Sequence, residues 1–326
     1  MRLEPVCEGH PLGRTFVNQI ALRALALTAL AIALSPNADC QRSPDSVLQA
    51  CGATLAVHID SDSNSPKRAD LLAWVQRAGD AVCTYYGKFP VPRVKLDVRV
   101  AGGSGVHGGV TYPTDGGQIR ISLGNRTTVA ELSEDWELTH EMIHLAFPSM
   151  AEKHHWFEEG IAVYVEPIAR VQAGQLTAER MWSDVVRDMP QGEPGNGDRG
   201  LDNTHTWGRT YWGGAMFCLV ADVRIRQKTG NREGLQDALR GILNAGGNIT
   251  QDWEIEHALA VGDKATGTTV LVDMYQAMRN QPGPVDLEGL RKDLGILRGQ
   301  DGSVQFDAKA PLADVRVAIT QPRAAN

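Results

Sequence analysis

Apolar and polar positions alternate in short runs between residues 54 and 123, and past residue 128 the apolar ones recur every three to four positions. The first rhythm is that of half-buried strands, the second that of amphipathic helices. Residues 94–100, Val-Lys-Leu-Asp-Val-Arg-Val, alternate strictly. Segments 54–59, 108–112 and 118–123 read as further strands, the last two joined by a turn at 113–117. One helix interrupts them over 67–86, with Leu71, Leu72, Val75, Ala78 and Val82 on one face. Helical spacing then marks 128–147, 156–173, 209–228, 232–244, 268–279 and 286–294. Between them, 188–206 is rich in Gly, Pro and Asp and predicts a long loop. Sheet first and helices after predict an α+β protein with two lobes. The boundaries expected are a targeting segment at 1–38, an α/β subdomain at 39–150 and a helical subdomain at 151–326.

Composition adds limits. Hydrophobic residues make up 42% of the 326, enough for a sizeable core. The net charge of −7, with Lys and Arg scattered, argues against nucleic acid as a partner. Near the start, Arg2, Arg14 and Arg23 precede an uncharged apolar run at 24–34 and then Ser35-Pro36-Asn37-Ala38. This is the order of a secretory signal, and the run is too short for a stop-transfer helix. An exported chain, periplasmic or secreted, is expected; any membrane anchoring would go through this segment alone, left uncleaved. Cys40, Cys51, Cys83 and Cys218 follow it, an even count that fits one or two disulfides. Cys40 and Cys51, close in sequence, are the expected pair, with Cys83 and Cys218 either paired or buried as thiols.

The chemistry is concentrated in His140-Glu141-Met142-Ile143-His144, inside the predicted helix 128–147. Residues four apart share a helix face, so both imidazoles reach one ion, with Glu141 beside the first. Zinc takes neutral imidazole nitrogens, and three protein ligands leave a position for water, whose proton a neighbouring carboxylate can accept. His140 and His144 are candidate ligands of one Zn2+ per chain, and Glu141 is the candidate general base.

Trp156-Phe157-Glu158-Glu159-Gly160-Ile161-Ala162 follows, with Glu159 fifteen residues after His144. The segment resembles the Trp-Leu-Asn-Glu-Gly-Phe-Ala of gluzincin aminopeptidases of the aminopeptidase N type, in which the Glu before the Gly is the third zinc ligand. The resemblance implies that Glu159 is that ligand. It also puts Glu158 where those enzymes have Asn and makes the ligand gap four residues shorter than theirs. They carry a Glu at the position of Glu166 too, where a carboxylate would receive the free N–H of a ligand histidine and fix its tautomer. Further on, Arg209-Thr210-Tyr211-Trp212-Gly213-Gly214-Ala215-Met216-Phe217 resembles the Tyr-x-Lys-Gly segment of aminopeptidase N and the glycyl aminopeptidases, with Gly213 in place of the Lys. Tyr211 thereby inherits the role of hydrogen-bond donor to the oxyanion of the tetrahedral intermediate. Covering about 128–243, the resemblance implies a two-lobed gluzincin-like fold and a zinc metallopeptidase acting on a peptide or protein. The Gly-x-Met-Glu-Asn segment with which aminopeptidase N grips a free α-amine has no counterpart in Gly108-Gly-Val-Thr-Tyr112, so endo- and exo-cleavage both stay open.

Other signals weigh less. Gly103-Ser-Gly105-Val-His-Gly108 has dinucleotide-type spacing, but no helix follows, so it reads as a flexible connection. His154, His155 and His205 read as exposed loop residues. The strand at 118–123 is the edge expected to pair with an extended peptide. Two readings compete with the peptidase: a zinc-containing, non-catalytic scaffold that binds peptides or envelope partners, and a hydrolase of non-peptide amides or esters. The presence of Glu141 and Tyr211 argues against the scaffold, which needs neither a base nor an oxyanion donor.

Overall fold

The computed structural model describes residues 44–60 and 66–323. The expected targeting segment and Cys40 lie outside them. The described chain opens with a hairpin in which β1 (Ser46–Ala50) turns back at Cys51 and Gly52, both at positive φ, into β2 (Ala53–Asp60). α1 (Arg68–Tyr86) then provides the crossover that lets β3 (Arg93–Ala101) run parallel to β2. β4 (Val106–Tyr112) and β5 (Gln118–Gly124) complete a mixed sheet of order β1-β2-β3-β5-β4, antiparallel at both edges. Alternation buries Leu55, Val57, Leu96, Val98, Ile119 and Ile121 in one core with Leu71, Val75 and Val82 of α1.

The strand expected at the edge, 118–123, is internal. It is hydrogen-bonded to β3 on one side and to β4 on the other, because the turn at 113–117 folds β4 back outside it. On that side of the sheet the edge strand is therefore β4.

The expected helix 128–147 is two helices, α2 (Val129–Glu134) and α3 (Glu137–His144). Asp135 divides them. Its backbone is extended, and its carboxylate accepts from the backbone N–H groups of Glu137 and Leu138 and from Trp74 Nε1, so it caps α3. The helical lobe continues with α4 (His155–Gln172), α5 (Ala178–Asp188), a π-helical turn (Arg209–Gly213), α6 (Gly214–Thr229), α7 (Leu235–Asn244), α8 (Ile255–Thr266), α9 (Val270–Met278) and α10 (Leu287–Asp293). A small hairpin, β6 (Ile296–Arg298) with β7 (Val304–Phe306), and α11 (Ala313–Thr320) close it. Among the described residues no helix is long and apolar enough to cross a membrane.

Cys51 is bonded to Cys83, which corrects the expected Cys40–Cys51 pair. The β1–β2 turn lies against the last turn of α1 with the two Cα atoms 6.1 Å apart, within disulfide reach. Cys218 is a buried thiol on α6.

Candidate metal centre

Two glycines set the distance between the helices that build the site. A Cβ on Gly160 of α4 would stand 2.3 Å from the carbonyl carbon of Gly214, and one on Gly214 would stand 2.0 Å from the Trp156 carbonyl oxygen. α4 and α6 therefore touch backbone to backbone. This brings Glu159 into the same pocket as Tyr211, on the π-helical turn, and as His140, Glu141 and His144 of α3.

The three expected ligands converge. His140 Nε2 lies 3.2 Å from both Glu159 Oε2 and His144 Nε2, and His144 Nε2 lies 3.7 Å from Glu159 Oε2. Tetrahedral bonds of about 2.0–2.1 Å to one ion would hold such atoms roughly 3.3 Å apart. Burial and the neighbouring His140 lower the His144 pKa to about 4, so its ring is neutral. Burial works to raise the Glu159 carboxyl, but the His140 hydrogen bond and the His144 ring outweigh it and bring it below its ordinary value. A neutral imidazole and an ionised carboxylate are the forms that zinc takes. Spacing and donor chemistry together fit a zinc ion.

Glu141 sits under the edge strand. The Thr111 hydroxyl lies 2.5 Å from Glu141 Oε2 and 2.9 Å from its carbonyl oxygen. Gly109 leaves room for the side chain, since a Cβ there would come 2.6 Å from Glu141 Cγ. Burial raises the Glu141 pKa, with Thr111 and His140 opposing. Tyr211 is half-buried and stacks on Trp207 at 5.8 Å between ring centroids. Burial, then the charges of Glu159 and Glu141, raise its pKa, so the hydroxyl stays protonated. π-helical turns of this kind recur at functional sites.

Glu166 departs from expectation. It is buried on α4, but its carboxylate accepts from Arg170 Nη1 at 2.9 Å, one helical turn on. His140 Nδ1 is buried without a hydrogen-bond partner. Burial, only partly offset by Arg170, pushes the Glu166 pKa up to about 7.

Two of the three histidines read as exposed loop residues also differ. His154 is 1% exposed and bonds Asp202 Oδ1 at 3.1 Å; Asp202 also accepts from Trp156 Nε1 and the Tyr275 hydroxyl. With the buried Arg209–Asp198 pair at 2.8 Å, this hub ties the long segment 188–206 to α4, α9 and the π-helical turn. His155 opens α4 with Nε2 3.4 Å from Glu159 Oε1 and Nδ1 3.6 Å from Glu158 Oε2, and it lines the site. Its i, i+4 spacing to Glu159 was the signal in the sequence. His205 is exposed.

No family model matches the chain, and no curated protein matches it in sequence. Among solved structures it is similar to an aminopeptidase N family protein from Idiomarina loihiensis, at 13% identity and a TM-score of 0.57, over 82% of this chain and 52% of that one. An M1 zinc metallopeptidase from Deinococcus radiodurans is matched at 12% identity and a TM-score of 0.46, over 74% and 51%. A mutant M1 zinc metallopeptidase from that organism bound to a Tyr-Ser-Ala substrate is matched at 11% and 0.45, over 74% and 52%. The chain spans about half the length of the solved structures it matches. The mixed sheet and the helical lobe make the described residues a two-lobed α+β domain, and the likeness to the Idiomarina protein shows that its fold is gluzincin-like.

Proposed function

We propose that this chain is a zinc-dependent peptidase. The observation that carries the reading is the convergence of His140, His144 and Glu159 on one point, with Glu141 and Tyr211 facing the same pocket. Zinc bound there supplies a Lewis acid and a water whose pKa falls to about 7. Glu141, oriented by Thr111, accepts the proton of the attacking water and passes it to the leaving amine. Tyr211 donates a hydrogen bond from its hydroxyl to the oxyanion as charge develops on it. The edge strand β4, through Gly109, Val110 and Thr111, pairs with an extended peptide and sets the scissile carbonyl beside Glu141. The Cys51–Cys83 bond supports an exported, oxidising location.

A panel of quenched peptides, read with and without chelator, tests the reading alongside Glu141→Gln. Cleavage that the chelator abolishes, and that Glu141→Gln loses while retaining zinc, is expected. A zinc-loaded parent that binds peptides without cutting any would refute it.

A further inference from the structure

A larger cavity of about 600 Å3 opens beside the metal centre and shares His140 and Tyr211 with it. The hydrolytic chemistry does not use it. Its size falls within the range of about 300–1,000 Å3 typical of small-molecule sites. Apolar walls come from Val163 and Pro167 of α4, Met181 of α5, and Leu176 and Met189 outside them. Trp136 and Trp207, which also line it, are 52% and 61% exposed and so stand where it meets solvent. Trp136 packs edge-to-face on His140 at 5.5 Å, and Trp207 stacks on Tyr211 at 5.8 Å. Two exposed indoles flanking one opening gain from being covered.

Most charges in the walls are already matched, with Glu134 standing exposed among them. Arg170 holds Glu166 in the buried pair, while Arg180 and Arg187 are paired with Asp184 and Asp188 on α5. A charged side chain entering here would lose hydration and meet arginines and acids already engaged with each other. The aromatic wall is also fixed in place. A Cβ on Gly192 would come 2.3 Å from the carbonyl carbon of Trp212, and one on Gly208 would come 2.3 Å from the Gln191 carbonyl oxygen. Segments 189–192 and 207–213 therefore lock together, and the cavity is formed before a ligand arrives.

We propose that this cavity is the subsite for a large uncharged aromatic side chain of the peptide, carried next to the scissile bond. The proposal rests on the peptidase reading and adds its substrate class. The test is a peptide series varied at the residues on either side of the scissile bond, run on the zinc-loaded full chain with cleavage positions mapped by mass spectrometry. An aromatic residue at one of these positions is expected to exceed Ala in kcat/KM by on the order of 10²-fold, and Glu or Lys by more. Val163→Trp and Leu176→Trp fill the cavity from two walls, and in each variant that keeps the parent's circular dichroism the aromatic-to-Ala ratio should fall toward unity. Equal cleavage of all classes by the parent overturns the assignment, as does a preference undiminished in a folded variant; should both variants misfold, the parent series decides alone. A zinc-loaded parent that cuts no peptide fails the peptidase reading itself, whereas cleavage without aromatic preference fails only the subsite.

Discussion

Gly109→Ala separates the placement of Glu141, the proposed base, from the stability of the fold. Gly109 is not among the residues at positive φ, so alanine suits its backbone, and the whole effect comes from the added methyl group. That group would stand 2.6 Å from Glu141 Cγ and 3.1 Å from Cδ and Oε1, whereas ordinary contact begins at 3.4 Å. β4 is held in register by β5, with Gly109 opposite Ile121, so the Glu141 side chain yields rather than the strand. Its Cγ must retreat by about 1 Å, which takes the carboxylate off the Thr111 hydroxyl. The conformational cost is on the order of 0.5–1.5 kcal/mol. A reacting group misplaced by about 1 Å loses on the order of 10²-fold in rate. The expected result is therefore kcat down about 10²-fold, with zinc content unchanged and only a small drop in melting temperature. Steady-state kinetics, metal analysis and thermal melts on one preparation decide it. Full activity would refute the placement of Glu141 under β4, and a loss that tracks unfolding would refute the separation.

Three further outcomes are expected. Tyr211→Phe should lower kcat and kcat/KM together by on the order of 10²–10³-fold with KM little changed; a fully active variant would refute the donor role. Gly160→Ala presses on backbone that cannot yield, so urea unfolding should show a loss of at least about 1–3 kcal/mol, and an unperturbed midpoint would contradict the α4–α6 contact. Cys51→Ser removes a bond between residues 32 apart and should cost about 2–4 kcal/mol, matched by the parent under reductant; a reductant-insensitive melt would contradict the pairing.

The clustering of His140, His144 and Glu159 was legible because its determinants are local. His140 and His144 share a helix face by spacing alone, and Glu159 sits in a short, specific segment. The central strands were legible for the same reason, since Val94, Leu96 and Val98 alternate into the core. What escaped depends on contacts distant in sequence. Asp135 ends α2 by capping α3 and by accepting from Trp74, 61 residues away. The Cys51–Cys83 pair depends on where α1 ends against the first hairpin, which counting cysteines does not reveal. His154 is buried because Asp202, 48 residues on, accepts from it. β4 reads as a strand at 108–112, but that Gly109 lets it cross Glu141 is not visible in the sequence. α5 is a plain miss: Thr177 caps it, and Met181, Trp182, Val185 and Val186 fall on one face.

The most direct test of the central claim is the zinc stoichiometry of the purified full chain, measured by elemental analysis in the parent and in single variants. One zinc per chain is expected in the parent. Near zero is expected in His144→Ala and Glu159→Ala, which each remove one of the three converging ligand atoms. His154→Ala should keep the full complement, because its ring faces Asp202. Zinc retained in both ligand variants, or lost equally from His154→Ala, would contradict the assigned site.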